Sequence, residues 1–469
     1  MQDVLNYIEA NRKRYLDELT ELIAIPSIST NPENAPDIAR CAEWMKAHLT
    51  AIGMQKAQIF PTAGHPVVYA EWLGAPGKPT ILLYGHYDVQ PVDPIGLWTT
   101  PPFQATVRNG NLYARGAADD KGQVFIHLKS IEAFMKKTGG LPVNIKVLLE
   151  GEEEIGSEHL DPFVRSHKEM LKADLVLISD TSMFARGVPS VCYGLRGLAY
   201  MQVELVGPNK DLHSGSYGGS VHNPIQALAE IIAQLHDKNG RVTIPGFYDD
   251  VRSLTKKERD AYKKLPWSDA RYARDLGVRA LYGEKGFTTL ERVWARPTLE
   301  CNGIWGGFTG EGAKTVLPST ASAKISMRLV PDQSAEKVAR LFQKHIDKIA
   351  PKSVKVTARY LHGGEAALTP IESPGVQAAV KALEKGFGKK PLYQREGGSI
   401  PIVVQFKKIL GLDTVLLGFG LPDENAHAPD EFINLDNFYG GIRTAAHFYE
   451  ELPAFMLKGK KKASARRRP

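Results

Sequence analysis

Hydrophobic positions follow two different rhythms along this chain of 469 residues. Between residues 4 and 25, Leu5, Ile8, Leu16, Leu19, Leu22 and Ile23 recur at three- and four-residue intervals, which predicts an amphipathic helix. Residues 36–52 predict another, with Pro36 suited to its first turn and Gly53 to its end. Short apolar runs then alternate with helical stretches. Residues 66–73, 80–84, 143–150 and 174–179 predict strands, and 122–137 a helix between two of them. Strands alternating with helices argue for an α/β layer with a mostly parallel central sheet flanked by helices.

The rhythm changes near Gly197. Residues 198–206, 299–306, 321–330 and 353–361 predict strands, while 222–237 and 334–350 predict helices. That β-α-β-β-α-β order is the split plan of a ferredoxin-like α+β domain, interrupted by a charged, helical insertion at 249–296. Beyond Pro370 the α/β style resumes, with a helix at 375–386 and a strand at 414–418. The expected organisation is a catalytic domain of residues 1–197 and 372–457, split by an inserted domain at 198–371. A basic, disordered tail at 458–469 completes it.

Composition narrows the class. Apolar content of 43% and charged content of 24% fit a folded globular protein, and no apolar run approaches the ~18 residues of a membrane span. The start has no secretory signal pattern, and three scattered cysteines make no disulfide framework, so a cytoplasmic location is expected. The net charge of +7 would suggest a nucleic-acid binder, but residues 458–469 carry four Lys, three Arg and no acid, as much as the whole excess. The rest of the chain is neutral overall, so no specific nucleic-acid partner and no membrane partner is expected.

Chemistry collects where the predicted strands end. ILLYGHYDV puts His86 and Asp88 past one strand, VLLEGEEEIGS puts Glu152, Glu153 and Glu154 past the next, and LVLISD puts Asp180 past a third. RGAADDKGQ places Asp119 and Asp120 before a helix start, and His427 lies in the loop GLPDENAHAPDEF. Any one of these carboxylates reads most simply as a helix cap or a solvated loop residue. Three successive strand ends with one class of ligand favour convergence, because ligands of open α/β sheets bind at the carboxyl ends of strands. Imidazole with carboxylate suits zinc, with manganese or cobalt as competitors, and a cation would relieve the mutual repulsion of the carboxylates.

In this order GHYDVQPV, RGAADDKGQ, LEGEEEIGS, ISD and ENAHAPDEF resemble the zinc-dependent peptidase family that includes carnosinase, cytosolic nonspecific dipeptidase, aminoacylase and glutamate carboxypeptidase. The resemblance extends to about Glu450 and implies two divalent metal ions per subunit. Asp119 would bridge them, with His86 and Asp180 completing one site and Glu154 and His427 the other. Asp88 would orient the His86 imidazole, Asp119–Asp120 would be a cis peptide, and Glu152 would be a bystander. Glu153 would be the general base that takes a proton from a metal-bridging water and passes it to the leaving amine.

The inserted domain would serve as lid and dimerisation domain. DLHSGSYGG, with His213, resembles a segment that reaches the neighbouring subunit's site in dimeric relatives. GAKTVLP with Thr315, ISMRLVP with Arg328 and LHGGE with His362 resemble residues that clamp a substrate's carboxylate. REGGSIP, with Glu396 and Ser399, resembles a loop that closes on the peptide termini, Glu396 suiting an α-amino group. Asp at position 180 resembles the dipeptidase branches, where Glu marks carboxypeptidases and aminoacylases. The insertion before Arg296 and the stretch around Asn302 look more like bacterial relatives than mammalian dipeptidases. The resemblance therefore implies a homodimeric dipeptidase acting on small peptides, with an N-acyl-amino-acid amidohydrolase or a carboxypeptidase of the same fold as the alternative.

Overall fold

The computed structural model describes residues 1–398 and 400–466, and the chain divides into two compact units. One unit comprises Met1–Tyr193, Thr369–Gln394 and Gln405–Pro469, and the other Gly194–Leu368 and Arg395–Val404.

In the first unit, the strands Asn144–Glu150, Thr80–His86, Leu175–Ile178 and Thr414–Leu416 lie side by side in that order, all parallel. Their residues are buried almost without interruption, as in sheets covered on both faces. Antiparallel strands extend both flanks. Val67–Trp72 and then Gln55–Phe60 lie beyond Asn144–Glu150, and Ser190–Leu195 lies beyond Thr414–Leu416. Because the four central strands run the same way, their carboxyl ends open along one edge. The loops bearing His86, Glu153, Asp180 and His427 all leave from that edge.

Helices cover this sheet, and the predicted N-terminal helix is two. Gln2–Ala10 and Arg12–Ile23 break at Asn11, whose side chain bonds back to the Tyr7 carbonyl instead of continuing the turn. The helix Leu435–Arg466 packs along Pro374–Phe387 and Lys121–Thr138. It runs through Lys458, where the sequence predicts a disordered tail; residues 467–469 lie outside the described residues. Lys121–Thr138 is buried along most of its length, so its polar side chains need internal partners. Lys129 finds them in Glu18, in Glu132 at 2.8 Å and in His48 at 2.9 Å. Those three groups lie close enough together to hold a metal ion, but the Lys129 ammonium already sits among them as their cation.

The second unit holds a four-stranded antiparallel sheet in the order Thr298–Gly306, Thr320–Leu329, Gly197–Val206, Lys355–Gly364. With the helices Pro224–Ala233 and Ala335–Ile349, this is the ferredoxin-like plan. The strand Gly197–Val206 alternates buried and half-buried residues, so one face packs on the helices and the other is left open. The insertion forms three short helices, Lys256–Lys263, Asp269–Asp275 and Thr289–Ala295.

Candidate metal centre

His86 ends a central strand with its side chain fully buried. Its Nε2 lies 3.1 Å from Asp119 Oδ1 and 4.0 Å from Asp180 Oδ2. The other Asp119 oxygen, Oδ2, lies 2.9 Å from His427 Nε2, which is 3.2 Å from Glu154 Oε2. Two ligand groups result, His86–Asp119–Asp180 and Asp119–Glu154–His427, each with its ligand atoms within 4.8 Å of one another. Asp119 belongs to both, and the Asp119–Asp120 peptide bond is cis.

The electrostatics match a site built for cations. Burial and the neighbouring carboxylates Asp120 and Asp119 hold the Asp180 carboxyl well above its ordinary range. Burial, aided by the charges of Glu154 and Asp119 and opposed by His86, pushes Glu153 up to about 7. His427 has a left-handed backbone and a side chain 55% exposed, and the hydrogen bonds it donates to the Asp119 and Glu154 carboxylates raise it to about 10. A set of two imidazoles and three carboxylates, among them the raised Asp180, fits borderline divalent metals, whose charge would offset this repulsion.

The supporting contacts differ in part from the expected ones. Asp88 meets His86 Nδ1 through its backbone carbonyl, at 3.1 Å, more closely than through its Oδ1, at 3.4 Å. Its carboxylate accepts instead from the backbone N–H groups of Glu153, at 3.2 Å, and Glu154, at 3.1 Å. One buried residue therefore ties the imidazole to the turn carrying both glutamates. Glu152 turns away from the site and accepts from the His65 N–H at 3.0 Å. Gln90 donates to Glu154 Oε2 at 2.8 Å, a contact not anticipated from sequence.

The remaining predicted residues belong to the second unit. His213 and Thr315 come together where Leu212–His213 pairs with Val316–Leu317, and the Ser214 N–H donates to the Thr315 carbonyl at 3.0 Å. Both are exposed, and His213 Nδ1 accepts from the Gly215 N–H. Arg328 pairs in register with Leu198, and His362 with Tyr200, which stacks on its ring at 5.2 Å. Positions 198 and 200 share the open face of the sheet, so Arg328 and His362 do too. Arg196, not singled out from sequence, adds a second guanidinium near Arg328; burial and that neighbouring charge lower it to about 10. Glu396 is half-buried at the end of Leu392–Glu396, and Ser399 lies outside the described residues.

With this geometry in place, similarity decides the family. The model of peptidase family M20/M25/M40 matches residues 82–451. The chain belongs to this family. Cys-Gly metallodipeptidase dug1 of Schizosaccharomyces pombe, a relative, is 35% identical over 460 residues, covering 95% of this chain and 97% of that one. The structure of the di-peptidase Dug1p from Saccharomyces cerevisiae superposes with a TM-score of 0.85 at 32% identity, covering 97% and 98% of the two chains. An M20 family metallo-carboxypeptidase from Sulfolobus solfataricus, Sso-CP2, gives the same TM-score at 38% identity, covering 94% and 99%. As an M20/M25/M40 peptidase the chain is a hydrolase that uses divalent metal, with the parallel-sheet unit as its catalytic domain.

Proposed function

We propose that this M20/M25/M40 peptidase is a dinuclear dipeptidase, cutting the single peptide bond of small peptides with a free carboxylate. The observation that carries the reading is Asp119, shared between two ligand groups, with Glu153 on the adjoining turn. Asp119 would bridge two cations, most simply Zn²⁺ with Mn²⁺ or Co²⁺ as alternatives. His86 and Asp180 would complete one set and Glu154 and His427 the other. Bound there, the cations would acidify the attacking water and offset the negative charge that develops on the carbonyl oxygen. Glu153 accepts the proton of that water and delivers it to the leaving nitrogen, while Asp88 fixes Glu153 through its backbone. Arg328, with Arg196 near it, Thr315 and His362 bind the substrate carboxylate, for which a guanidinium fork is suited. Glu396 and Ser399 take the peptide termini, and Glu396 pairs with the α-amino group.

A panel of dipeptides and their N-acetylated counterparts tests this reading. Free dipeptides are expected to turn over and their blocked forms to fail, whereas hydrolysis of the blocked forms would refute dipeptidase specificity. The likeness to Sso-CP2 favours one second reading, a carboxypeptidase, which would release the C-terminal residue of longer or blocked peptides.

The second unit is read as lid and dimerisation domain. Its edge strand Thr298–Gly306 pairs on one side only among the described residues, with Ile304 and Trp305 exposed. Such an edge is a template for a second strand, here that of a second copy. His213 would then donate to the carbonyl oxygen in the partner's site. A homodimer is expected by sedimentation velocity, and a monomer at micromolar concentration would refute it. The location is read as cytoplasmic, supported by three cysteines with no disulfide among the described residues. No described helix is long and apolar enough to cross a membrane.

A further inference from the structure

One buried carboxylate joins the two loops that supply the shared ligand and its most exposed neighbour. Glu431 is fully buried and follows His427 by four residues. Its Oε1 accepts from the backbone N–H groups of Ala118, at 2.9 Å, and Asp119, at 3.2 Å. Its Oε2 accepts from the Gly116 N–H, at 3.1 Å, and from Arg115, at 2.6 Å. The chain on either side reinforces this. The Ala114 N–H donates to the Glu431 carbonyl at 2.9 Å, and Phe432–Asn434 pairs with Asn111–Tyr113. Arg115 is itself buried and also donates to the Pro91 carbonyl at 2.9 Å, reaching the loop that follows His86 and Asp88.

Residues 115–119 thus wrap around the carboxylate as a nest of donors, and the donor at the end of that nest belongs to Asp119. The Asp119 backbone, which carries the shared carboxylate, cannot shift toward or away from His427 without breaking a bond to Glu431. We propose that Glu431 is a positioning residue that sets the spacing of Asp119 and His427, and so the metal affinity of the Asp119–Glu154–His427 group. The proposal rests on the dinuclear reading given above. Arg115 holds the carboxylate in register by neutralising it and by tying it to the loop at Pro91. A buried carboxylate with four donors is costly to replace by an amide, because the amide nitrogen would face Arg115 and the Gly116 N–H.

Metal titration against a chelating indicator dye reads this without assaying turnover. Purified Glu431→Gln is expected to bind Zn²⁺ or Co²⁺ at one of two sites about 10–100-fold more weakly than the unaltered chain, the span typical of groups that orient metal ligands. Glu132→Gln is the control, since it weakens the buried Lys129 cluster and touches neither ligand group. A loss in Glu431→Gln no larger than in Glu132→Gln would show a structural contribution only and overturn the proposal. If Glu431→Gln does not fold, Arg115→Lys carries the same test, because it removes the guanidinium fork and leaves Glu431 its three backbone donors. A smaller loss of affinity at that one site is then expected, and unchanged affinity would overturn the proposal. Failure of the unaltered chain to bind two equivalents of metal would instead refute the dinuclear reading itself.

Discussion

Replacing Glu153 by Gln is expected to lower kcat by about 10³-fold, inside the 10²–10⁴ span of general acid–base groups, while metal stoichiometry and KM stay near their starting values. The amide keeps the shape of the side chain and the backbone bond to Asp88, so the turn and the neighbouring ligand Glu154 hold their places. What disappears is a carboxylate that burial and the charges of Glu154 and Asp119 push up to about 7. The base works only when deprotonated, so in the unaltered chain kcat/KM should fall as pH drops through the Glu153 pKa. Bound cations pull that pKa down, which places the acid limb below pH 7. Glu153→Gln should lack this limb. A variant with near-normal turnover, or one that lost its metal, would refute the assignment.

Loss of the metal ligands should be equally severe, and Asp119 is where it is most concentrated. Its two oxygens face different imidazoles, His86 at 3.1 Å and His427 at 2.9 Å, and it belongs to both ligand groups. Asp119→Ala should therefore weaken both sites, reducing activity to the level of chelator-treated protein. Asp180→Ala and His427→Ala, each in one group, should weaken one. Exhaustive chelation should abolish hydrolysis, and adding back Zn²⁺, Mn²⁺ or Co²⁺ should restore it, while metal analysis of the protein as purified identifies the ion it carries. A metal-free protein with full activity would exclude the dinuclear site.

The legible parts of this molecule share a physical reason. Strands buried on both faces must be apolar throughout, so Thr80–His86, Asn144–Glu150 and Leu175–Ile178 stand out as runs, and the candidate ligands follow them. Gln55–Phe60 has mostly exposed or half-buried residues and no apolar run to announce it. Arg115 and Glu431 were also out of reach. Both lie inside recognised motifs, but a charged loop residue looks alike in sequence whether it meets water or a buried partner. Asp88 shows the same limit at finer grain, since its position was legible and the choice between carbonyl and carboxylate as partner of His86 was not. The basic terminus reads as solvated by its charge, yet Lys, Arg and Ala are strong helix formers and the helix continues to Arg466.

The order in which the catalytic unit is threaded bears on how the chain comes to life in a cell. The strand Thr414–Leu416 lies between Leu175–Ile178 and Ser190–Leu195, and His427 follows it, although the whole second unit intervenes in sequence. During synthesis the proposed ligands His86, Asp119, Glu154 and Asp180 leave the ribosome long before His427, and the sheet keeps a gap for a strand not yet made. A nascent chain can thus fold most of its mass while its hydrolytic centre lacks a ligand. On the dinuclear reading, peptide-bond cleavage then waits on connectivity alone: it begins only after His427 has been made and the strand before it has joined the sheet.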